Sequence, residues 1–114
     1  MTNCKVLLVD SNPIFLVVMG INLVKKGCRV TVASNGETAV KALNDKKFDL
    51  VISNMETPPL DNFTILEKAK KFNPLTKVIL MSESPEASSS VDTCYLPQHA
   101  DDYLFKSDVM NWVF

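Results

Sequence analysis

The sequence has little of what marks several protein classes. Its three cysteines, Cys4, Cys28 and Cys94, are widely spaced, include no C-x-x-C pair, and have a single histidine, His99, to join them. A zinc site is therefore not expected, and reduced thiols are the state that we predict. No apolar run reaches the roughly 18 residues that a membrane span needs. The first residues, M-T-N-C-K, lead straight into a predicted strand, which is not typical of a signal peptide.

Neither sign of charge is in excess. The chain has 12 basic and 13 acidic residues, a formal net charge of -1 and a pI near 5.7. This balance provides no electrostatic basis for binding nucleic acid or an anionic membrane. A length of 114 residues suffices for one compact domain and is too short for two. We therefore treat residues 1–114 as a single domain, without linker or internal repeat, and expect it to be cytoplasmic.

Short apolar runs alternate with segments of helical periodicity along the chain. The predicted order is strand Lys5–Val9, helix Pro13 to about Lys26, strand Arg29–Ala33, helix Glu37–Asn44, strand Asp49–Ser53, helix Asn62–Phe72, strand Val78–Met81, strand Asp102–Phe105 and the start of a helix at Ser107–Phe114. This order predicts a parallel sheet with helices on both faces, joined by right-handed crossovers. The last helix is short or truncated, and the polar segment 83–99 is expected to be the most mobile part.

The first predicted helix carries two apolar stripes where a surface helix normally needs one. The first stripe consists of Phe15, Val18, Met19 and Leu23, and the second of Ile14, Val17, Ile21 and Val24. Neighbouring helices could cover the second stripe. Alternatively, it is a contact surface for a second copy or a protein partner, which Trp112 in the short last helix would extend.

Polar residues follow four of the five predicted strands. They are Asp10 and Ser11 after the first strand, Asn54 after the third, Ser82 after the fourth and Lys106 after the fifth. In a parallel α/β sheet, the residues that follow the strands gather at one edge, where such folds bind their ligands. We therefore expect the function of the domain to depend on what these side chains can do together.

This grouping resembles the receiver domain of two-component response regulators, the CheY-like fold, and the resemblance covers the whole chain. The matching stretches are V-D-S-N-P, S-N-G-E-T-A, D-L-V-I-S-N, P-P-L-D-N, V-I-L-M-S and A-D-D-Y-L-F-K-S. The resemblance implies a doubly wound, flavodoxin-like sheet of five parallel strands in the order 2-1-3-4-5. It also implies a site in which the acid pair falls on Asp10 and Ser11, the phosphoacceptor on Asn54, the switch hydroxyl on Ser82, the switch aromatic on Tyr103 and the lysine on Lys106.

Two of these positions depart from the family pattern. In the family, two adjacent acids and one aspartate bind magnesium, and that aspartate takes a phosphoryl group from a phosphohistidine. The amide of Asn54 is not a nucleophile towards phosphorus. Magnesium prefers carboxylate oxygens, and Asp10 is the one acid of the three that remains, so magnesium binding should be weak or absent.

We therefore interpret the chain as a pseudo-receiver, which is not an enzyme, needs no cofactor and signals by protein–protein interaction. Its partner would be a histidine kinase, a phosphotransfer protein, a fused output domain or a second copy, and the domain would form the first part of a longer regulator. Asn54 could instead be an engineered block on a normal receiver. Ser11 argues against that alternative, because one substitution would suffice.

Several site residues allow two interpretations. Lys106 is expected to pair with Asp10 and hold the pocket closed without metal; the alternative is a solvated lysine. Ser82 either hydrogen-bonds the amide at the acceptor position or caps its strand. Tyr103 is expected to be a fixed core aromatic, with a two-position switch as the alternative. Glu56 is expected to be solvated, although it could form a weak cation site with Asp10.

Two other functions compete with a pseudo-receiver. One is an active receiver that uses Ser11, Ser53 or Asp61 as acceptor, or a residual metal site. The other is a flavodoxin-like cofactor binder. The loop after the first strand, D-S-N-P, lacks the run of Ser, Thr and Gly that cradles a phosphate, which argues against it.

Overall fold

The structure, a computed structural model, describes residues 4–54, 62–82 and 101–108, without the side chains of residues 62–64, 82 and 103. Its elements are β1 (Lys5–Val9), α1 (Pro13–Lys25), β2 (Arg29–Ala33), α2 (Gly36–Asp45), β3 (Leu50–Asn54), α3 (Asn62–Phe72), β4 (Lys77–Ser82) and β5 (Asp102–Phe105). The predicted segment 83–99 and residues 109–114 of the predicted last helix lie outside the described residues. Within the described ranges, no helix is long and apolar enough to cross a membrane.

The five strands form one parallel sheet in the order β2-β1-β3-β4-β5. This confirms the predicted doubly wound fold and its strand order. The chain runs outward from β1 to β2 and then returns to the other side of β1 to form β3. The carboxyl ends of β1 and β3 therefore meet where the direction of winding reverses, which is the place where open α/β sheets bind their ligands.

The core has two layers, one on each face of the sheet, because successive side chains of a strand point to opposite faces. On one face α1 packs with a cluster that comprises Val6, Leu8, Phe15, Leu16, Met19, Leu23, Cys28, Leu50, Ile52 and Met81. On the other face α2 and α3 pack with a cluster that comprises Leu7, Val9, Ala33, Ala39, Leu43, Phe48, Val51, Ile65, Leu66, Ala69, Val78 and Leu80. β3 is buried over its whole length.

Helix α1 begins and ends at polar signals that are present in the sequence. The Asn12 side chain accepts hydrogen bonds from the backbone N–H groups of Ile14 and Phe15, and Pro13 occupies the first turn. At the other end the helix stops at Lys25, one residue before the predicted limit. Gly27 has a φ of 91°, a left-handed conformation that glycine adopts without steric cost.

The two apolar stripes of α1 have different environments. Phe15, Met19 and Leu23 of the first stripe are buried against the sheet, together with Leu16, whereas Val18 is half-buried. The four members of the second stripe have exposed fractions of 51–73%. We call this second stripe, Ile14, Val17, Ile21 and Val24, the α1 outer face.

Some boundaries differ from the prediction. β3 begins at Leu50 rather than Asp49, whose carboxylate accepts a hydrogen bond of 2.8 Å from the backbone N–H of Lys5 at the entrance to β1. It ends at Asn54 rather than Ser53, since Asn54 still pairs with Met81 of β4. α2 is longer by one residue at each end, as is β4 at Lys77 and Ser82.

A lysine of α3 takes part in holding the entrance of β5 to the sheet. The Nζ of Lys70 in α3 lies 2.8 Å from the Oδ2 of Asp101 and 2.6 Å from the carbonyl oxygen of Thr76. The same Asp101 oxygen accepts a bond of 2.7 Å from the backbone N–H of Val78. Burial acts to raise the pKa of Asp101. The bonds from Lys70 and Val78, with the positive charges of Lys70 and Lys77, outweigh it and lower that pKa below its ordinary value.

Candidate functional site

The site is built around the carboxylate of Asp10, which follows β1 directly. The backbone N–H of Asp10 donates to the carbonyl oxygen of Ala33 at 3.1 Å, which continues the pairing of β1 with β2 by one residue. The side chain is fully buried. Its Oδ1 accepts a hydrogen bond of 2.8 Å from the backbone N–H of Asn12, so the loop to α1 is wrapped around the carboxylate.

The second carboxylate oxygen of Asp10 binds two side chains that come from distant strands. The Nζ of Lys106 lies 2.9 Å from Oδ2, and the Nδ2 of Asn54 donates to the same oxygen at 3.2 Å. The ion pair that we predicted between Lys106 and Asp10 is therefore present. Because a buried carboxylate is costly without partners, these charge-assisted contacts account for its place in the core.

Lys106 has a further contact that the sequence analysis missed. Its Nζ lies 4.1 Å from the centroid of the Phe15 ring, a cation–π geometry, and its side chain is only 14% exposed. Periodicity places Phe15 in the first apolar stripe of α1. It identifies the buried face of a helix but not the residues that this face contacts. The first turn of α1 thus covers the lysine from one side while Asp10 binds it from another.

Asn54 lies at the end of the central strand β3 and is 1% exposed. Its strand is paired with β1 on one side and with β4 on the other, which fixes the amide beside Asp10. An amide nitrogen can donate to a carboxylate, whereas a second carboxylate at this position would repel it. The neutral residue therefore suits a pocket in which the Asp10 carboxylate is paired with Lys106.

The remaining predicted site residues are not all brought to this cluster. Ser11 is exposed, and Ser53 is fully buried. Ser53 precedes Asn54 in the same strand, so its side chain points to the opposite face of the sheet. The side chains of Ser82 and Tyr103 lie outside the described residues. The backbone of Tyr103 lies in β5 as predicted, whereas that of Ser82 lies at the end of β4, one residue beyond the predicted strand. Glu56, Asp61 and Trp112 also lie outside the described residues.

The donors around Asp10 do not fit a magnesium ion. Both of its oxygens already accept hydrogen bonds from groups of the protein, namely Lys106, Asn54 and the backbone of Asn12. In the part of the chain that is described, no three His, Cys, Asp or Glu side chains come together in a way that could hold a metal ion. Among the described residues, Asp10 is the one carboxylate of this pocket, and magnesium would have to compete with Lys106 for it.

The chain is similar to known proteins over most of its length. The family model described as the response regulator receiver domain matches residues 6–111. The transcriptional regulatory protein ZraR of Klebsiella oxytoca is 39% identical over 82 residues, and the transcription factor SKN7 of Candida albicans is 33% identical over 101 residues. These alignments cover 70% and 89% of this chain. The chain spans 18% of the length of each of these two relatives.

Solved structures have the same fold. A CheY-like response regulator receiver domain protein from Methanospirillum hungatei matches with a TM-score of 0.79 and 24% identity, covering 98% of this chain and 91% of that one. At that identity the likeness establishes the fold alone. It agrees with the strand order and with the two-layered core described above.

Proposed function

The chain belongs to the response regulator receiver domain family of two-component signalling, and we propose that it acts there without accepting a phosphoryl group. In this proposal the domain is a pseudo-receiver, a module that binds a protein partner in the state that its own side chains stabilise. It has no catalytic role and does not depend on bound magnesium.

The observation that carries this proposal is the hydrogen bond from Asn54 to Asp10. The side chain that corresponds to the family's phosphoacceptor presents an amide N–H to the neighbouring carboxylate at 3.2 Å. An amide is a poor nucleophile, so it cannot attack a phosphorus centre as a carboxylate does. The protein's own side chains also occupy the pocket, since the Nζ of Lys106 lies 2.9 Å from the Oδ2 of Asp10 and neutralises its charge.

The experiment that tests the proposal measures phosphoryl transfer by intact mass. The protein is incubated with acetyl phosphate or phosphoramidate and magnesium, and its mass should stay unchanged. In parallel, millimolar magnesium should leave the backbone NMR shifts of Asp10 and Asn54 almost unchanged. A stoichiometric gain of one phosphoryl group would contradict the proposal, and peptide mapping would then show whether Ser11 or Asp61 is the acceptor.

A matched variant shows whether the reaction conditions would detect phosphorylation, so that an unchanged mass of the parent can be interpreted. The double substitution Ser11→Asp with Asn54→Asp restores all three acids, and we expect it to gain magnesium binding and a phosphoryl group under the same conditions. Without metal it should unfold at a lower denaturant concentration than the parent, because three carboxylates then crowd one pocket. The single variant Ser11→Asp serves as the control, because it adds an acid but no acceptor.

We propose that the protein contact of this module is made through the α1 outer face. Four apolar side chains that are 51–73% exposed on one helix form a patch that monomeric proteins seldom leave bare. A two-fold pairing of this face with a second copy would bury it in both chains at once. A kinase, phosphotransfer protein or output domain is the alternative partner for the same face.

A further inference from the structure

Two of the three cysteines are neighbours across the sheet, although 24 positions separate them in the sequence. Cys4 immediately precedes β1 and Cys28 immediately precedes β2. The pairing of these strands aligns Lys5 with Arg29 and Val6 with Val30, so one further step back aligns Cys4 with Cys28. The hydrogen bond of 2.8 Å from the Arg29 N–H to the Cys4 carbonyl oxygen shows that the strands are still adjacent at this point.

The two thiols lie on the same face of the sheet. Cys28 belongs to the buried cluster beneath α1, and Cys4 and Val30 pack against that cluster. This follows from the alternation of strand side chains, which puts Cys4 on the face of Val6 and Cys28 on the face of Val30. The Cys28 side chain is close enough to Cys4 to contribute to the raised pKa of the Cys4 thiol. Paired strands lie about 4.8 Å apart, within the range of Cα separations that disulfides span.

The two thiols differ in their access to solvent. Cys28 is 5% exposed, whereas Cys4 is half-buried and lines a cavity of about 510 Å³ at the amino-terminal edge of the sheet. Leu75, Lys77 and Asp101 also line this cavity. A small reagent can therefore reach Cys4 first, while Cys28 lies behind it as the thiol that completes a bond.

We propose that Cys4 and Cys28 form a reversible disulfide when the protein meets a low-molecular-weight disulfide such as oxidised glutathione. The Cys4 thiolate attacks one sulfur of the reagent, and the first thiolate leaves as Cys4 becomes a mixed disulfide. The Cys28 thiolate then attacks the Cys4 sulfur and expels the second thiolate. The two protein thiols lose two electrons and two protons, and the reagent is reduced to two thiols.

The new bond would join the starts of β1 and β2, and the loop that it closes contains α1. Oxidation would thus restrain the segment that contains α1 and its outer face. The new bond itself would lie far from Asp10, because it joins the starts of the strands and Asp10 follows the end of β1. Burial raises the pKa of the Cys4 thiol, and the nearby Cys28 and Asp49 raise it further. Exchange should therefore be slow at neutral pH and faster in mildly alkaline buffer, where more thiolate is present.

The experiment uses the full chain with Cys94→Ser, so that only the proposed pair can react. Treatment with oxidised glutathione in mildly alkaline buffer should remove two hydrogen atoms from the intact mass. Peptide mapping without reductant should join the peptides of Cys4 and Cys28, and a dithiol reductant should reverse the change. The oxidised protein should melt about 10 °C higher than the reduced protein, because the bond restricts the unfolded chain.

Two variants in the same background test the order of events. Cys28→Ala should stop at the mixed disulfide and retain one glutathionyl group, whereas Cys4→Ser should remain unmodified because Cys28 is buried. Circular dichroism melting of both reduced variants checks that they fold, and Cys28→Val replaces Cys28→Ala if the latter does not. Failure of the Cys94→Ser protein to lose two hydrogens, or a product in which the two cysteine peptides stay separate, would overturn the proposal.

Discussion

At the residue scale, the stability of the pocket depends on the pairing of Asp10 with Lys106. Asp10 is fully buried, and the ammonium group 2.9 Å away is its one cationic contact among the described residues. We predict that Lys106→Met lowers the free energy of unfolding by about 3 kcal/mol at neutral pH, since the carboxylate then remains buried without a counter-charge. Urea unfolding followed by circular dichroism measures the change.

A mutant cycle separates this ion pair from the loss of lysine packing. Asp10→Asn combined with Lys106→Met should lower the free energy of unfolding by less than the sum of the two single changes. In the double variant neither substitution leaves a buried charge without its partner. Lys41→Met, at an exposed position of α2, is the control and should change stability by less than about 0.5 kcal/mol. If Lys106→Met lowers the free energy of unfolding by no more than this control does, the ion pair does not stabilise the fold.

At the scale of elements, Asp101 links the entrance of β5 to α3 and β4. Its folded-state pKa is lowered, so its contribution to stability is present above its ordinary pKa and is lost as the pH falls through the folded value. We predict that Asp101→Asn destabilises the protein by less than about 1 kcal/mol at pH 7, since the side chain is 39% exposed and its ion pair is screened by solvent.

The same variant gives an acid-dependent signature. The difference in stability between the parent and Asp101→Asn should shrink as the pH falls below the ordinary pKa of an aspartate, where the parent carboxylate becomes protonated. Asp45→Asn, at the exposed end of α2, provides the matched control for the loss of one carboxylate. A constant difference across that range would mean that the Lys70 and Val78 contacts do not depend on the charge of Asp101.

At the scale of the whole molecule, the α1 outer face is predicted to determine association. Val17→Glu with Ile21→Lys places charges in the middle of the face, and both positions are more than half exposed, so the fold should tolerate them. Sedimentation at high micromolar concentration should show a dimer for the parent and a monomer for the double variant.

The control for association introduces two acidic side chains on a different helix. Thr38→Glu with Lys41→Glu, on the exposed side of α2, should leave the sedimentation of the parent unchanged. A parent that is monomeric at high micromolar concentration would exclude the second copy as partner. If the parent binds a kinase or phosphotransfer protein but the α1 variant binds it equally well, the face is not a contact surface at all.

The sequence was sufficient for the fold because its periodicity is strong. Five short runs, four of them with β-branched residues, and three well-marked helices predicted the parallel sheet, and the errors in element boundaries were one residue at most among the described residues. They arose where local signals compete with long-range pairing. The prediction ends the third strand at Ser53, for example, whereas the register with Met81 keeps Asn54 in β3.

The sequence by itself determined the chemical identity of the pocket, since Asp10 and Asn54 follow apolar runs whose carboxyl ends must meet in a parallel sheet. It also identified a second apolar stripe on α1. The periodicity of apolar residues predicts which side chains are buried, because the preference of a side chain for burial does not depend on which residue it contacts.

Only the tertiary structure decided which groups meet. Asn54 and Asp10 are 44 positions apart, and their hydrogen bond depends on strand order rather than on any local pattern. The contact of Lys106 with Phe15, the role of Lys70 at Asp101 and the alignment of Cys4 with Cys28 have the same origin. The physical reason is that hydrogen bonds, ion pairs and thiol contacts act over a few ångströms, so they are specified only once the register of the strands brings distant residues together.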